Sequence, residues 1–394
     1  MRIGLVVPHI FMQRAILPHV IFSPGKLALD LAAGLQKLGQ DVTLFSPGAV
    51  DTPATNITAD LTLFEQELAG RSDTYLDLLK KHPVTFISLA RQVQAELIAK
   101  AFAMANNDEL DVVHIYTNEE DIALPFVQLC TKPVVFTHHD PFNFLIKYKN
   151  TFPKYKHLNW ISISMAQRQG MPAGTNWIAN IYHGLDEHAF TPNYKPKGKY
   201  LAYLGRIIES KGVHLAIAAV KQHNAAYPDD AYTLKIAGKH YAGHGKDAYW
   251  REQIEPQLGG HIQYVGFVDT DEQKQSLLGD AQALIVPSTF DEPFGLVLIE
   301  ALACSTPIIG LRSGAIREII RQNKTGIIVK RGDETTMIAA LRTAIQEIGR
   351  INRADCRIDF ETRFTLHRMC QAHIHTYHSA ASIGAARPLP KDRA

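Results

Sequence analysis

Cysteine is scarce and unpatterned in this chain. Its four residues, Cys130, Cys304, Cys356 and Cys370, form no CxxC spacing. Cys130 and Cys304 fall in apolar, helix-like stretches, so buried reduced thiols of a cytosolic protein are expected rather than disulfides. Long hydrophobic runs are also missing. None approaches the roughly 18 residues of a membrane span, and the apolar start, Met1 to Pro8, is too short for a signal peptide and reads as a first buried strand. No GxGxxG turn follows that strand and no acid closely follows Phe45, which argues against a nicotinamide cofactor. The absence of GxxxxGK[ST] removes P-loop kinases and ATPases. A net charge of +2 with 20% charged residues carries no nucleic-acid signature.

What the chain does have is length and alternation. Its 394 residues, 46% of them hydrophobic, suffice for two domains with real cores. Short apolar runs alternate with helical patterns, the mark of a parallel α/β architecture. In the first half, strands are expected at Ile3–Val7, Val42–Phe45, Val112–Ile115, Val134–Thr137, Trp160–Ile163 and Trp177–Ile178. Helices are expected at Gly25–Leu38, Tyr75–Lys80 and Val84–Ala105. The stretch 193–199, with Pro196, Gly198 and three lysines, reads as a hinge. The alternation then restarts. Strands are expected at Tyr200–Leu204, Leu234–Ala237, Ile262–Val265, Ala283–Val286, Pro307–Ile309 and Gly326–Val329, and helices at Val213–Lys221, Glu272–Leu278, Asp333–Ile348 and within Phe360–Tyr377. Residues 379–394 read as a disordered tail.

The most informative stretch runs from Pro287 to Gly310. A strand stopped by Pro287 leads through a loop into an apolar helix expected over Phe294–Cys304, with Pro293 suited to its first turn. The N–H groups of Phe294, Gly295 and Leu296 would then offer an anion site. Two carboxylates frame the helix. Glu292 precedes it, and Glu300, two turns inside among apolar neighbours, needs a hydrogen-bond donor. A sugar hydroxyl would serve, and so would an Arg or Lys of the fold. Elsewhere, Arg206 and Lys211 flank a strand-to-helix turn, where two cations can grip a diphosphate, although solvated surface charge is the commoner role of such a pair.

Together these residues resemble family 4 of the retaining, nucleotide-sugar-dependent glycosyltransferases. The segment from Glu292 to Pro307 is similar to that family's E-P-F-G-L-x-x-x-E-A-x-A-C-G-T-P pattern, and Gly205 to Gly212 to its G-R-x-x-x-x-K-G turn. Departures are Ser305 and Ser313, each where the family usually has Gly. The resemblance implies the GT-B architecture: two Rossmann-like α/β domains with parallel sheets facing across a cleft. An N-terminal acceptor domain would span 1–192, with helices at about 358–378 crossing back to it, and a nucleotide-sugar domain would span 199–357.

The implied reaction is metal-independent transfer of a hexosyl group from a nucleoside diphosphate sugar, with UDP the default nucleotide, to an unknown glycan, lipid or small-molecule acceptor. By the resemblance, Glu292 contacts the hexose and Glu300 the ribose. Arg206, Lys211 and the backbone at Phe294, Gly295 and Leu296 hold the diphosphate, and Gly266, Phe267 and Val268 meet the base. His138, with His139 as the alternative, meets the sugar from the first domain. Gly25, in Ser23-Pro24-Gly25-Lys26, stands where the family has a Gly pair and can lend N–H groups to a phosphate or acceptor. Glu318 resembles an acid packed near the donor site.

Other motifs carry less. Asp269-Thr270-Asp271 imitates a metal-binding DxD but reads as a helix start at Asp271. His240, His244, His373, His375 and His378 lack companions at ligand spacing, so no metal site is expected. Between Pro141 and Leu185 there is no Asp or Glu, while lysines and aromatics interleave over 142–160. Such a stretch suits a cleft wall with snorkelling lysines or a weak peripheral contact with an anionic membrane. An epimerase or a glycosyl phosphorylase of the same architecture, and a non-catalytic sugar-nucleotide binder, are the competing classes. Donor turnover with and without acceptor or phosphate separates them.

Overall fold

The computed structural model describes residues 1–12, 22–116, 119–240 and 247–385. The chain divides into two compact units. One comprises residues 1–163, 168–182 and the segment from Leu366 on. The other comprises 164–167 and 183–365. The division thus falls at Tyr182/His183, ahead of the 193–199 stretch read as a hinge, because the intervening residues pack with the second unit: Arg357 donates to the carbonyls of Glu187 and Phe190 at 2.9 Å.

The first unit carries a seven-stranded sheet of order β3-β2-β1-β4-β5-β6-β7, parallel throughout. Its strands are β1 (Arg2–Val6), β2 (Asp41–Ser46), β3 (Thr55–Thr58), β4 (Val112–Tyr116), β5 (Val134–Thr137), β6 (Asn159–Ser162) and β7 (Trp177–Asn180). Ile3, Leu5, Val42, Leu44, Val113, Ile115 and Val135 have no accessible surface, as a sheet covered on both faces requires. Its helices are α1 (Ser23–Lys37), α2 (Thr62–Arg71), α3 (Tyr75–Lys81), α4 (Pro83–Asn106) and α5 (Ile146–Thr151). On α1, Leu27, Leu31 and Leu35 form the buried stripe expected from their spacing, and Gly39 (φ +77°) ends it. Three elements of this unit, β3, α2 and α5, have no counterpart in the sequence reading. β3 is the short edge strand Thr-Asn-Ile-Thr, and α2 buries only Phe64, so neither shows a strong hydrophobic period. Cys130 follows a 3-10 turn over Leu124–Leu129 and is half-buried, not helical as expected.

The second unit carries a six-stranded parallel sheet of order β10-β9-β8-β11-β12-β13. It is built from β8 (Tyr200–Leu204), β9 (Thr233–Ala237), β10 (Ile262–Gly266), β11 (Ala283–Val286), β12 (Ile308–Leu311) and β13 (Gly326–Val329). Around it lie α6 (Val213–Ala226), α7 (Asp271–Gly279), α8 (Leu296–Ala303), α9 (Ile316–Ile319), α10 (Glu334–Glu347) and α11 (Arg353–Arg363). A further helix, α12 (Leu366–Ala385), belongs to the first unit. It lies on α1 so closely that a Cβ on Gly34 would stand 2.5 Å from Cys370 Sγ. It also continues through 379–385, which were expected to be tail; the rest of that stretch lies outside the described residues. Two α/β units with parallel sheets fit the GT-B fold. Among the described residues no helix is long and apolar enough to cross a membrane.

Candidate active site

In an open parallel sheet, ligands bind beyond the carboxyl ends of the strands where the strand order reverses. In the second unit that point lies between β8 and β11. The loop after β8 carries Arg206 and Lys211, and the loop after β11 carries Glu292. The two loops are bound together. Thr289 N and Phe290 N both donate to Ser210 O, at 2.9 and 3.1 Å. Gly212, in the left-handed region at φ +69°, packs so tightly that a Cβ would lie 2.1 Å from Pro287 O.

Glu292 is buried, and its carboxylate has two partners. Lys211 Nζ forms an ion pair with Oε1, and Ser288 Oγ donates to the same oxygen at 2.9 Å. Lys211 also lies 5.0 Å from the Phe290 ring centre. The Glu292 backbone is clamped too: Ala315 N donates to its carbonyl at 2.8 Å, and a Cβ on Gly314 (φ +49°) would come within 2.2 Å of that oxygen. Arg206 is exposed at the tip of its loop. Its carbonyl accepts from Tyr203 Oη at 2.8 Å, and burial pushes that phenol well above the usual range, so it stays a donor.

The helix behind this loop starts later than the sequence suggests. α8 begins at Leu296, Gly295 precedes it at φ +95°, and Pro293 stands outside the first turn. The donors without an intrahelical acceptor are therefore those of Gly295, the N-cap, and of Leu296 and Val297, with Phe294 outside the helix start. Phe294 is buried, its ring 4.8 Å from that of His183. Inside α8, the donor that Glu300 requires is Lys274 on α7, with Nζ 2.7 Å from Oε1. At the other end of α8, Ser305 adopts φ +64°, the left-handed conformation that explains why glycine suits this place.

Gly266, Phe267 and Val268 leave the neighbouring end of β10, all partly exposed, with Gly266 at φ +86°. Lys239 Nζ lies 4.0 Å from the Phe267 ring centre. Glu318 accepts from Met165 N and Ala166 N at 2.8 and 2.6 Å, a structural cap within the second unit. α7 starts at Asp271, as expected, and is capped by Thr270, paired with Gln273 in a reciprocal capping box.

His138 and Gly25 lie in the first unit. His138, just beyond β5, has no accessible surface and is surrounded by the rings of Phe142, Tyr148 and Phe152 at 4.7–4.9 Å. Its Nδ1 meets Glu120 Oε2 at 3.1 Å. Burial holds the imidazole down at about 4 and the carboxyl well above its usual range, so the pair is a neutral hydrogen bond. His139 turns the other way, its ring 4.6 Å from Tyr116, and retains 8% exposure. Of the two, His139 is the one with surface to offer a ligand. Gly25 is buried in the first turn of α1, where a Cβ would meet Phe22 at 2.9 Å.

Sequence reasoning missed Glu120, Ser288 and Lys274. Glu120 had a signal, as the centre of an acidic triplet after β4. The other two announce themselves only through packing. Among the described residues no three His, Cys, Asp or Glu side chains gather as metal ligands. His240 bonds Asp247 at 3.0 Å and stacks on Trp250, and His373 bonds Met369 O. His244 lies outside the described residues.

A nucleotide-type switch-point site on one of two parallel-sheet units is the arrangement of a GT-B enzyme, and comparison with known proteins agrees. Residues 186–357 match the family described as glycosyl transferases group 1. The phosphatidyl-myo-inositol mannosyltransferase of Mycolicibacterium smegmatis is 25% identical over 376 residues, covering 91% of this chain and 89% of that protein. The Mycobacterium tuberculosis glycogen synthase is 31% identical over 197 residues, 48% of this chain and 45% of that protein. Among solved structures, sucrose-phosphate synthase from Thermosynechococcus elongatus superposes with a TM-score of 0.71 at 18% identity, covering 98% of this chain and 100% of that one. Anabaena HepE in complex with UDP and glucose gives 0.65 at 17%, covering 96% and 100%. These findings support a glycosyltransferase with the GT-B fold.

Proposed function

We propose that this protein transfers a hexosyl group from a nucleoside diphosphate sugar to an acceptor with retention at the anomeric carbon, and without a metal ion. The observation that carries the reading is the Lys211–Glu292 pair at the β8/β11 switch point, beside exposed Arg206 and the start of α8. Breaking the anomeric bond places negative charge on the departing diphosphate, and preorganised cations and backbone donors stabilise such charge. Arg206, Lys211 and the N–H groups of Leu296 and Val297 supply them. On donor binding, Lys211 passes from Glu292 to the phosphates, which frees the Glu292 carboxylate to accept from hexose hydroxyls. Glu300 keeps one oxygen on Lys274 and offers the other to the ribose. Within the first unit, His139 rather than enclosed His138 is the histidine with surface to meet a ligand, and Glu120–His138 fixes the strand end beneath it.

The hexose to test first is mannose, because the relatives matched over 86–91% of this chain are phosphatidyl-myo-inositol mannosyltransferases. UDP and GDP donors are to be compared directly. Calorimetric titration of UDP-, GDP- and ADP-sugars in EDTA, on the native protein and on Arg206→Ala, tests the reading. Binding of one donor in EDTA, weakened at least tenfold in the variant, is the expected result. Absence of binding to every donor overturns it. An acceptor-dependent product with the α configuration of an α-linked donor tests retention.

A further inference from the structure

We infer, on the nucleotide-sugar reading of the second unit, that Lys239 selects the base of the donor, favouring a base with a carbonyl edge (uracil, guanine) over one with an amino group there (cytosine, adenine). Lys239 holds a fixed place on the rim of the sheet, where the carboxyl ends of β8, β9 and β10 are stitched to one another. Gly205 N donates to Ala237 O at 3.1 Å, Ile207 N to Lys239 O at 2.9 Å and Gly238 N to Gly266 O at 2.9 Å. Tyr264 Oη donates to Gly238 O at 2.9 Å. A Cβ on Gly238, at φ +150°, would overlap Gly205 O. On the other side of Lys239, His240 is held by Asp247 at 3.0 Å and by its stack on Trp250. With the backbone held on both sides, the lysine side chain is what adapts to a ligand.

The surroundings of Lys239 suit a base. Phe267, the first residue past β10, is partly exposed, and the Lys239 ammonium lies 4.0 Å from its ring centre. A base stacks on an aromatic face and leaves its edge for hydrogen bonds. Arg206 adjoins Ile207, which is bonded to Lys239, and the Phe267 loop leads into α7, whose Lys274 holds Glu300. A nucleotide with its diphosphate at Arg206 and its ribose at Glu300 therefore brings its base to Phe267 and its edge to Lys239. An ammonium only donates. On that edge guanine offers O6 and N7 and uracil offers O4, whereas adenine and cytosine present an amino donor. Donor against donor leaves a desolvated group unpaired, the kind of mismatch that discriminates strongly between ligands of one size.

Calorimetric titration of the full chain with UDP, CDP, GDP and ADP compares carbonyl and amino bases within each ring size. In the ring size that binds more tightly, the native protein is expected to hold the carbonyl base about tenfold or more above its amino counterpart. Lys239→Met keeps the alkyl stem on Phe267 and is expected to lower the carbonyl-base affinity about tenfold while leaving the amino-base affinity unchanged. Lys239→Arg, which keeps a donor cation, is expected to retain the preference. Circular dichroism checks the fold of both variants. Equal native affinity for carbonyl and amino bases overturns the inference, and so does a preference that Lys239→Met leaves intact. An equal loss for all four nucleotides in that variant also overturns it, because Lys239 would then be serving the phosphates. Binding of none of the four by the native protein instead removes the nucleotide-sugar reading itself, and the selection with it.

Discussion

Lys211 and Glu292, 81 residues apart in the chain, are ion-paired across the two loops that leave β8 and β11, and Ser288 donates to the same carboxylate oxygen. Both partners are largely withdrawn from solvent, with side-chain exposures of 16% and 11%. One contact therefore joins the local fold to the site. Removing Lys211 alone leaves a buried charge, which costs about 3 kcal/mol or more for well-buried pairs. Lys211→Met is expected to lower unfolding stability by roughly that amount and to abolish donor binding. Lys211→Met/Glu292→Gln is expected to recover much of the stability but none of the binding. Urea unfolding and calorimetry on the three variants read the two effects separately. Full recovery of binding in the double variant would refute a direct role for the pair.

The glycines around the pair are constrained by their neighbours. At Gly314 a Cβ would sit 2.2 Å from Glu292 O, and at Gly212 one would sit 2.1 Å from Pro287 O. Each also has positive φ. Gly314→Ala and Gly212→Ala are expected to displace the two loops that carry Lys211 and Glu292 and, on the proposed function, to lower turnover at least tenfold. Gly70→Ala, on exposed α2 with nothing within 4 Å, is the control. It should be neutral or stabilising by about 0.5–1 kcal/mol.

Ser305 offers the opposite case. It holds φ +64° with no accessible surface, and its hydroxyl finds no hydrogen-bond partner. A left-handed conformation costs a non-glycine residue roughly 1 kcal/mol, and the buried hydroxyl adds to that. Ser305→Gly is expected to stabilise the protein by about 1 kcal/mol, read as a higher urea midpoint at unchanged slope. A destabilised variant would show that the serine makes a contact of its own.

Acid should weaken the first unit. His114 is enclosed between Tyr377 and Thr137, at 2.7 and 2.8 Å, and burial lowers it well below 6.5. Burial brings His373, on α12, down to about 4. Both are neutral in the folded chain and titrate near 6.5 when unfolded. Between pH 6.5 and 4 the unfolded chain therefore binds more protons, and stability falls as pH falls through that window. Above about pH 7 these groups add no slope. Two such groups give up to about 2.7 kcal/mol per pH unit. His373→Phe should remove up to about 1.4 kcal/mol per pH unit of the slope in unfolding measured from pH 7 to 4.5. An unchanged slope would assign the acid sensitivity to other groups.

Strands were legible where hydrophobic runs were continuous. Ala283–Val286, Gly326–Val329 and Tyr200–Leu204 begin and end where the sequence places them, because a strand buried on both faces leaves an uninterrupted apolar signature. β3 and α2 escaped because edge elements with one buried side chain carry little periodicity. The start of α8 moved by two residues because the positive φ of Gly295, a backbone choice rather than a pattern, sets it. Of the candidate site, Arg206, Lys211, Glu292 and Glu300 were singled out by the resemblance of two motifs. That one of two adjacent histidines is enclosed and the other retains surface was not, since a strand end alternates its side chains and spacing does not say which face is covered.

By itself the sequence determined the alternating α/β architecture, the two sheets and the loops that carry the charged residues. Those properties follow from local hydrophobic period and from glycine and proline positions along the chain. Only the tertiary structure decided the partners: Lys211 for Glu292, Lys274 for Glu300, Glu120 for His138, and Tyr377 for His114 across 263 residues. The physical reason is that a buried charge or polar atom must be matched. Strand order selects the matching group from distant segments, and no local spacing along the chain records that choice.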